Sequence, residues 1–106
     1  MPTYCVYVIE LEPAVREIGA FRDRNPSARS DKPCVYVGCT AHEPQVRFEQ
    51  HKAGIRANRF VRRFGVRLRP GIMRFLKGYP TRVAAEAAER RCAERLRARG
   101  YSVWWG

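Results

Sequence analysis

No apolar run in this 106-residue chain approaches the roughly 20 residues that cross a bilayer, and its N-terminus has no signal-peptide pattern. The expectation is a cytoplasmic protein with no membrane partner. The four cysteines, Cys5, Cys34, Cys39 and Cys92, make no CxxC pair. Cys5 and Cys34 fall in strand-like apolar runs and Cys92 on an apolar helix face, so free thiols buried in a reducing compartment are expected. A zinc site assembled from Cys39 and His42 would have poor ligand spacing. Acidic residues are scarce, ten against 21 basic ones, which gives a formal charge of +11 and a pI near 10.4. A small domain this basic suits a polyanionic partner, most simply nucleic acid. Coding bias is the competing explanation, because eighteen of the basic residues are arginine. A hydrophobic fraction of 45% argues against wholesale disorder. The length fits one domain over residues 1–106 with a modest core.

What is present begins with Thr3–Leu11, TYCVYVIEL, apolar at almost every position as in a strand covered on both faces. Alternation puts Cys5, Tyr7 and Ile9 on one face and Tyr4, Val6 and Val8 on the other. A second run, Cys34–Val37, closes on Gly38 and places Cys34, Tyr36 and Gly38 on a common face. If the strands pair, Tyr7 and Tyr36 converge. Between them, Pro13–Asn25 has helical spacing in Val15, Ile18 and Phe21, and the polar PSARSDKP that follows reads as a loop.

After Gly38 a helix from about Pro44 to Ala53 would start on its proline. It carries Arg47 and His51 at i, i+4, neighbours on one surface, with Phe48 and Ile55 in its apolar direction. A guanidinium beside an imidazole can hold a phosphate and move a proton next to it. A short helix over ANRFVRRFG would turn Phe60, Val61 and Phe64 inward, leaving Arg56, Arg59, Arg62 and Arg63 as a stripe for phosphates or a merely solvated face. Gly71–Tyr79 is expected as a third strand, and Thr81 as the N-cap of a helix over Arg82–Arg99. On that helix Ala85, Ala88, Cys92 and Leu96 cluster, and Glu89 projects at the edge of their face. A carboxylate there needs a partner, whether metal or arginine. Gly100 is a credible C-cap, and Tyr101–Trp105 a last short edge strand.

Cys5–Val6–Tyr7, then Tyr36–Val37–Gly38, Arg47, His51 and Glu89 in that order, resemble the GIY-YIG nuclease signature over nearly the whole chain. The small single-domain bacterial type is the nearest in kind. The resemblance implies an α+β fold, a central three-stranded and mainly antiparallel sheet flanked by helices. Family members often join the two tyrosine strands by a short turn, whereas here a helical insertion of about 12–33 intervenes, suited to a lid, a specificity element or a dimer contact.

The resemblance further implies a divalent-metal-dependent endonuclease acting on DNA (single-stranded, duplex or branched) in repair, recombination or processing, with RNA left open. Glu89 would hold Mg²⁺ or Mn²⁺, Arg47 would clamp a phosphate oxygen, and Tyr7, Tyr36 and His51 would orient and deprotonate water. A relay from a tyrosine to His51 is the preferred proton path. An asparagine that several members place near the domain's end has no counterpart, and Arg63, Lys77 or a main-chain group would have to stand in. Two other readings remain. One is a nucleic-acid-binding module with little cleavage activity, and the other is a subunit whose insertion and Trp104–Trp105 dock a protein partner or a second copy.

Overall fold

The computed structural model of the chain describes residues 3–106. Strand β1 (Cys5–Leu11) pairs antiparallel with β2 (Cys34–Thr40), in a register that sets Tyr7 opposite Gly38 and Ile9 opposite Tyr36. Between them the insertion forms a 3₁₀ turn (Pro13–Glu17), a short helix α1 (Gly19–Asp23) and a loop. Helix α2 (Pro44–Lys52) follows β2, then α3 (Arg59–Phe64), β3 (Gly65–Leu68), a single turn α4 (Pro70–Met73), the long α5 (Arg82–Ala98) and β4 (Ser102–Trp105).

Four strands in the order β3-β1-β2-β4 make the sheet, and β4 runs parallel to β2. The expected three-stranded sheet is therefore corrected to a four-stranded mixed one, within the same α+β class. Gly71–Tyr79 is not the third strand. Pro70 starts a helical turn there, and the rest of the segment meets β1 only at single points, Leu76 C=O accepting from Val6 N–H at 2.8 Å and Tyr79 bridging to Tyr4. Gly65–Leu68 takes the place beside β1, where Arg67 and Arg69 both reach Glu10, at 3.6 and 2.8 Å.

Both faces of the sheet are covered. Tyr7, Ile9, Leu11, Cys34 and Tyr36 pack against Val15 and Phe21 of the insertion and Phe60, Val61 and Phe64 of α3. Val6, Val8, Val35, Val37 and Val103 pack against Ala88, Cys92, Ala93 and Leu96 of α5. Removing each of these valines from water stabilises the fold by about 1.5–3 kcal/mol. Two-sided burial explains the unbroken apolar runs of β1 and β2. Ile55, expected in the apolar direction of α2, instead lies beyond its end and is 55% exposed.

The insertion is fastened to the last strand. Asn25 is buried, and its carboxamide meets the free edge of β4: Oδ1 accepts from Val103 N–H at 2.7 Å and Nδ2 donates to Val103 C=O at 3.2 Å. One side chain thus supplies the donor and acceptor that a further strand would have offered.

Candidate active site

Strand β4 pairs only with Cys34–Val37, so the Gly38–Thr40 end of β2 has no strand beside it on that edge. A cleft of about 1250 Å³ opens there. Tyr7, Tyr36, Arg47, His51 and Glu89 all line it, with the first four reaching it from one face of the sheet and Glu89 from the other. Gly38 permits this crossing, because a Cβ at that position would stand 2.5 Å from Tyr7 Cζ and 3.0 Å from Tyr36 Cε2. The tyrosine rings lie 6.1 Å apart, centroid to centroid, and both border the His51 ring.

His51 is 1% exposed and held at both nitrogens. Its Nδ1 accepts the backbone N–H of Asn58 at 3.0 Å, and its Nε2 meets Tyr7 Oη at 2.8 Å. Burial, helped by the nearby Arg47 charge, lowers its pKa to about 4, so the ring is neutral near pH 7. A neutral imidazole whose Nδ1 is an acceptor carries its proton on Nε2. His51 is therefore a donor to Tyr7 Oη. With both nitrogens engaged in this way, the ring faces the tyrosines as a donor, the reverse of the direction in which the expected relay into His51 would run.

Tyr7 and Tyr36 are both raised by burial, Tyr7 far above the ordinary tyrosine value and Tyr36 to about 12. The Glu89 carboxylate adds to the rise at Tyr36, while the Tyr7 hydroxyl and the Arg47 charge reduce it. Tyr36 is thus the more readily ionised of the pair. Arg47 is half-buried and aimed by carbonyls: Nη1 donates to Ile55 C=O at 3.2 Å and Nη2 to Arg56 C=O at 2.8 Å. Arg56 presents that carbonyl from a left-handed backbone, φ 44°, a conformation uncommon outside glycine.

Glu89 is 8% exposed, and among the described residues it takes part in no ion pair. Burial raises its pKa to about 7. Its neighbours on α5 are differently placed, since Glu86 pairs with Arg82 and Glu94 with Arg90 at the surface. No group of three metal-ligating side chains occurs among the described residues. The protein therefore offers one carboxylate, unpaired and open to the cleft. That donor set fits Mg²⁺ or Mn²⁺, which keep several water ligands and take others from substrate phosphate. It does not suit the zinc site considered from Cys39 and His42.

Arg56 and Arg59 line the cleft, whereas Arg62 and Arg63 are exposed outside it. Arg63 and Lys77, considered as stand-ins for an asparagine, are likewise not at the cleft. Asn58 is. It caps α3 through Oδ1 to Phe60 and Val61 N–H, and its own N–H fixes His51. An asparagine directly before an apolar-periodic helix was the available signal for the cap. Gln50, which accepts from Arg47 at 3.3 Å, and Cys39, beside Glu89, had no such signal.

A family model described as "GIY-YIG catalytic domain" matches residues 3–102. No curated protein and no solved structure matches the chain.

Proposed function

The chain belongs to the GIY-YIG catalytic domain family, a family of endonucleases, and from that premise we propose that it is a divalent-metal-dependent enzyme hydrolysing DNA phosphodiester bonds. The observation that carries this reading is the convergence, at one open sheet edge, of a buried unpaired carboxylate, an unpaired guanidinium and a donor chain ending on a tyrosine. Phosphodiester hydrolysis requires an in-line water, an acceptor for its proton and countercharge for the phosphoryl oxygens.

Arg47 supplies countercharge. Its fork is preset by two main-chain carbonyls, and it has no carboxylate partner among the described residues, so its remaining N–H groups are available to a non-bridging oxygen. His51 Nε2–H donates to Tyr7 Oη, which leaves the Tyr7 proton to point onward to Tyr36. Tyr36, last in this chain of donors, first releases its own proton to cleft water, a loss eased by the Tyr7 hydroxyl and the Arg47 charge. The phenolate then takes the proton of the attacking water. Glu89 would hold the cation, which would supply countercharge to the developing phosphoryl negative charge. Arg56 and Arg59 extend the positive wall to flanking phosphates. Arginines contacting phosphates position a strand without reading its sequence. This suits structure-selective or non-specific cleavage, of the kind used in repair, recombination or processing.

The test is cleavage of single-stranded, duplex, flap and four-way-junction DNA by wild type and Glu89→Gln, with Mg²⁺, Mn²⁺ or EDTA. Metal-dependent cutting that the variant loses while still binding DNA is the expected result. Salt-sensitive binding with no cutting in any metal would instead leave a binding module.

A further inference from the structure

Trp104 has surroundings that hydrolysis alone does not require. It is half-buried on β4 and lines the cleft wall. Phe60 meets it edge-on at 4.7 Å and Phe21 lies nearly parallel at 6.3 Å, both holding the indole in place. The exposed Arg24 of the insertion lays its guanidinium over the ring, 3.9 Å from the centroid. The Arg59 guanidinium stands 5.8 Å from the same ring and 4.6 Å from that of Phe60.

Charge is divided unevenly across the cleft. On the α5 lip, Arg82 and Arg90 are neutralised by Glu86 and Glu94. On the Trp104 lip, Arg24, Arg47, Arg56 and Arg59 take part in none of the ion pairs among the described residues. An anchored indole flanked by uncompensated guanidinium groups is the composition that binds a nucleic-acid strand through a stacked base and its neighbouring phosphates. The Asn25–Val103 hydrogen bonds lock the insertion to β4, so Arg24 and Trp104 are held together before any ligand arrives.

We infer that Arg24, Trp104 and Arg59 form a subsite for an unpaired nucleotide of a DNA strand entering the cleft. The base stacks on Trp104 in place of the Arg24 guanidinium, which moves to an adjacent phosphate, and Arg59 takes another. A base inside a duplex has both faces covered by its neighbours, so the strand on this lip must be single-stranded. The inference rests on the nuclease reading for its ligand. It deepens that reading by naming the strand form and gives the 12–33 insertion a part in binding substrate.

The test measures binding only, with Glu89→Gln in EDTA, so that a failure of catalysis cannot obscure it. A Trp105→Phe background leaves Trp104 as the sole tryptophan, whose fluorescence is followed during titration with oligothymidylate, an abasic strand of equal length, and blunt duplex. Quenching by oligothymidylate and not by the other two is expected. The anisotropy of a dye-labelled oligothymidylate, which needs no tryptophan, is expected to show affinity reduced about 5- to 100-fold by Trp104→Leu, the range of one base–aromatic stack. Arg24→Ala, at an exposed position, guards against misfolding of the tryptophan variant and is expected to weaken binding several-fold. Equal quenching by the abasic strand or the duplex, or an unchanged affinity in Arg24→Ala, would overturn the subsite. Quenching by oligouridylate with none by oligothymidylate would overturn DNA as its ligand.

Discussion

A methyl group at position 38 would enter the space of both tyrosines, with Tyr7 Cζ at 2.5 Å and no room for the ring to retreat, since Tyr7 is 2% exposed. Gly38→Ala must therefore push Tyr7 Oη away from His51 Nε2. Overpacking of this kind costs about 1–3 kcal/mol, and loss of a positioned proton-transfer group costs on the order of 10²-fold in rate. Urea denaturation together with cleavage rates would measure both, and full activity in Gly38→Ala would remove Tyr7 from the donor chain. At this scale the sequence was informative where spacing alone places a group. Arg47 and His51 share a face because they are four residues apart, and Glu89 falls beside Ala85 because of helical projection. It was silent on the proton of His51. The Asn58 N–H that decides the tautomer comes from the next helix, and its direction depends on a turn that no spacing rule describes.

The elements show the same division. β1, β2 and α5 were legible because long apolar runs and a capped, periodic helix are strong local signals. β3 was not. Its four residues form a short edge paired to β1 across a long sequence separation, with Glu10 reaching Arg67 and Arg69, a tertiary circumstance, and its first residue reads equally well as the end of α3. The insertion was legible as helix and loop, but its task was not, because Asn25 acquires its role only when β4 lies beside it. Asn25→Ala is expected to leave the Val103 N–H buried without an acceptor, while the Val103 C=O keeps Arg97 at 2.9 Å. The predicted loss is about 1–3 kcal/mol, read by urea denaturation, with a shift in Trp104 fluorescence as β4 loosens. An unaltered midpoint would mean that β4 is held without the insertion.

Two buried ionisable groups on opposite faces of the sheet give the whole molecule a pH response that neither would give alone. The folded state lowers His51 from 6.5 to about 4 and raises Glu89 from 4.5 to about 7, mainly by burial in each case. Between about pH 4.5 and 6.5 the unfolded chain binds the proton that His51 refuses, so His51 costs stability as pH falls. Over the same window Glu89 keeps a proton that the unfolded chain has released, so it costs stability as pH rises. Each slope is about 1.4 kcal/mol per pH unit, and the signs are opposed. Together these groups leave the metal-free wild type nearly level across the window. Glu89→Gln removes one side of the balance. The variant is expected to gain on wild type from pH 4.5 upward, by on the order of 3 kcal/mol at pH 7 and above. Self-repulsion of so basic a chain is nearly the same in both proteins and drops out of the difference. Urea denaturation in EDTA at a series of pH values measures that difference directly. Parallel curves would show Glu89 ionising like a surface carboxylate, and the case for a cation held there would lose its physical basis. Diverging curves that close again for wild type, and not for the variant, when Mg²⁺ is added above pH 7 would identify the cation as the partner this carboxylate lacks.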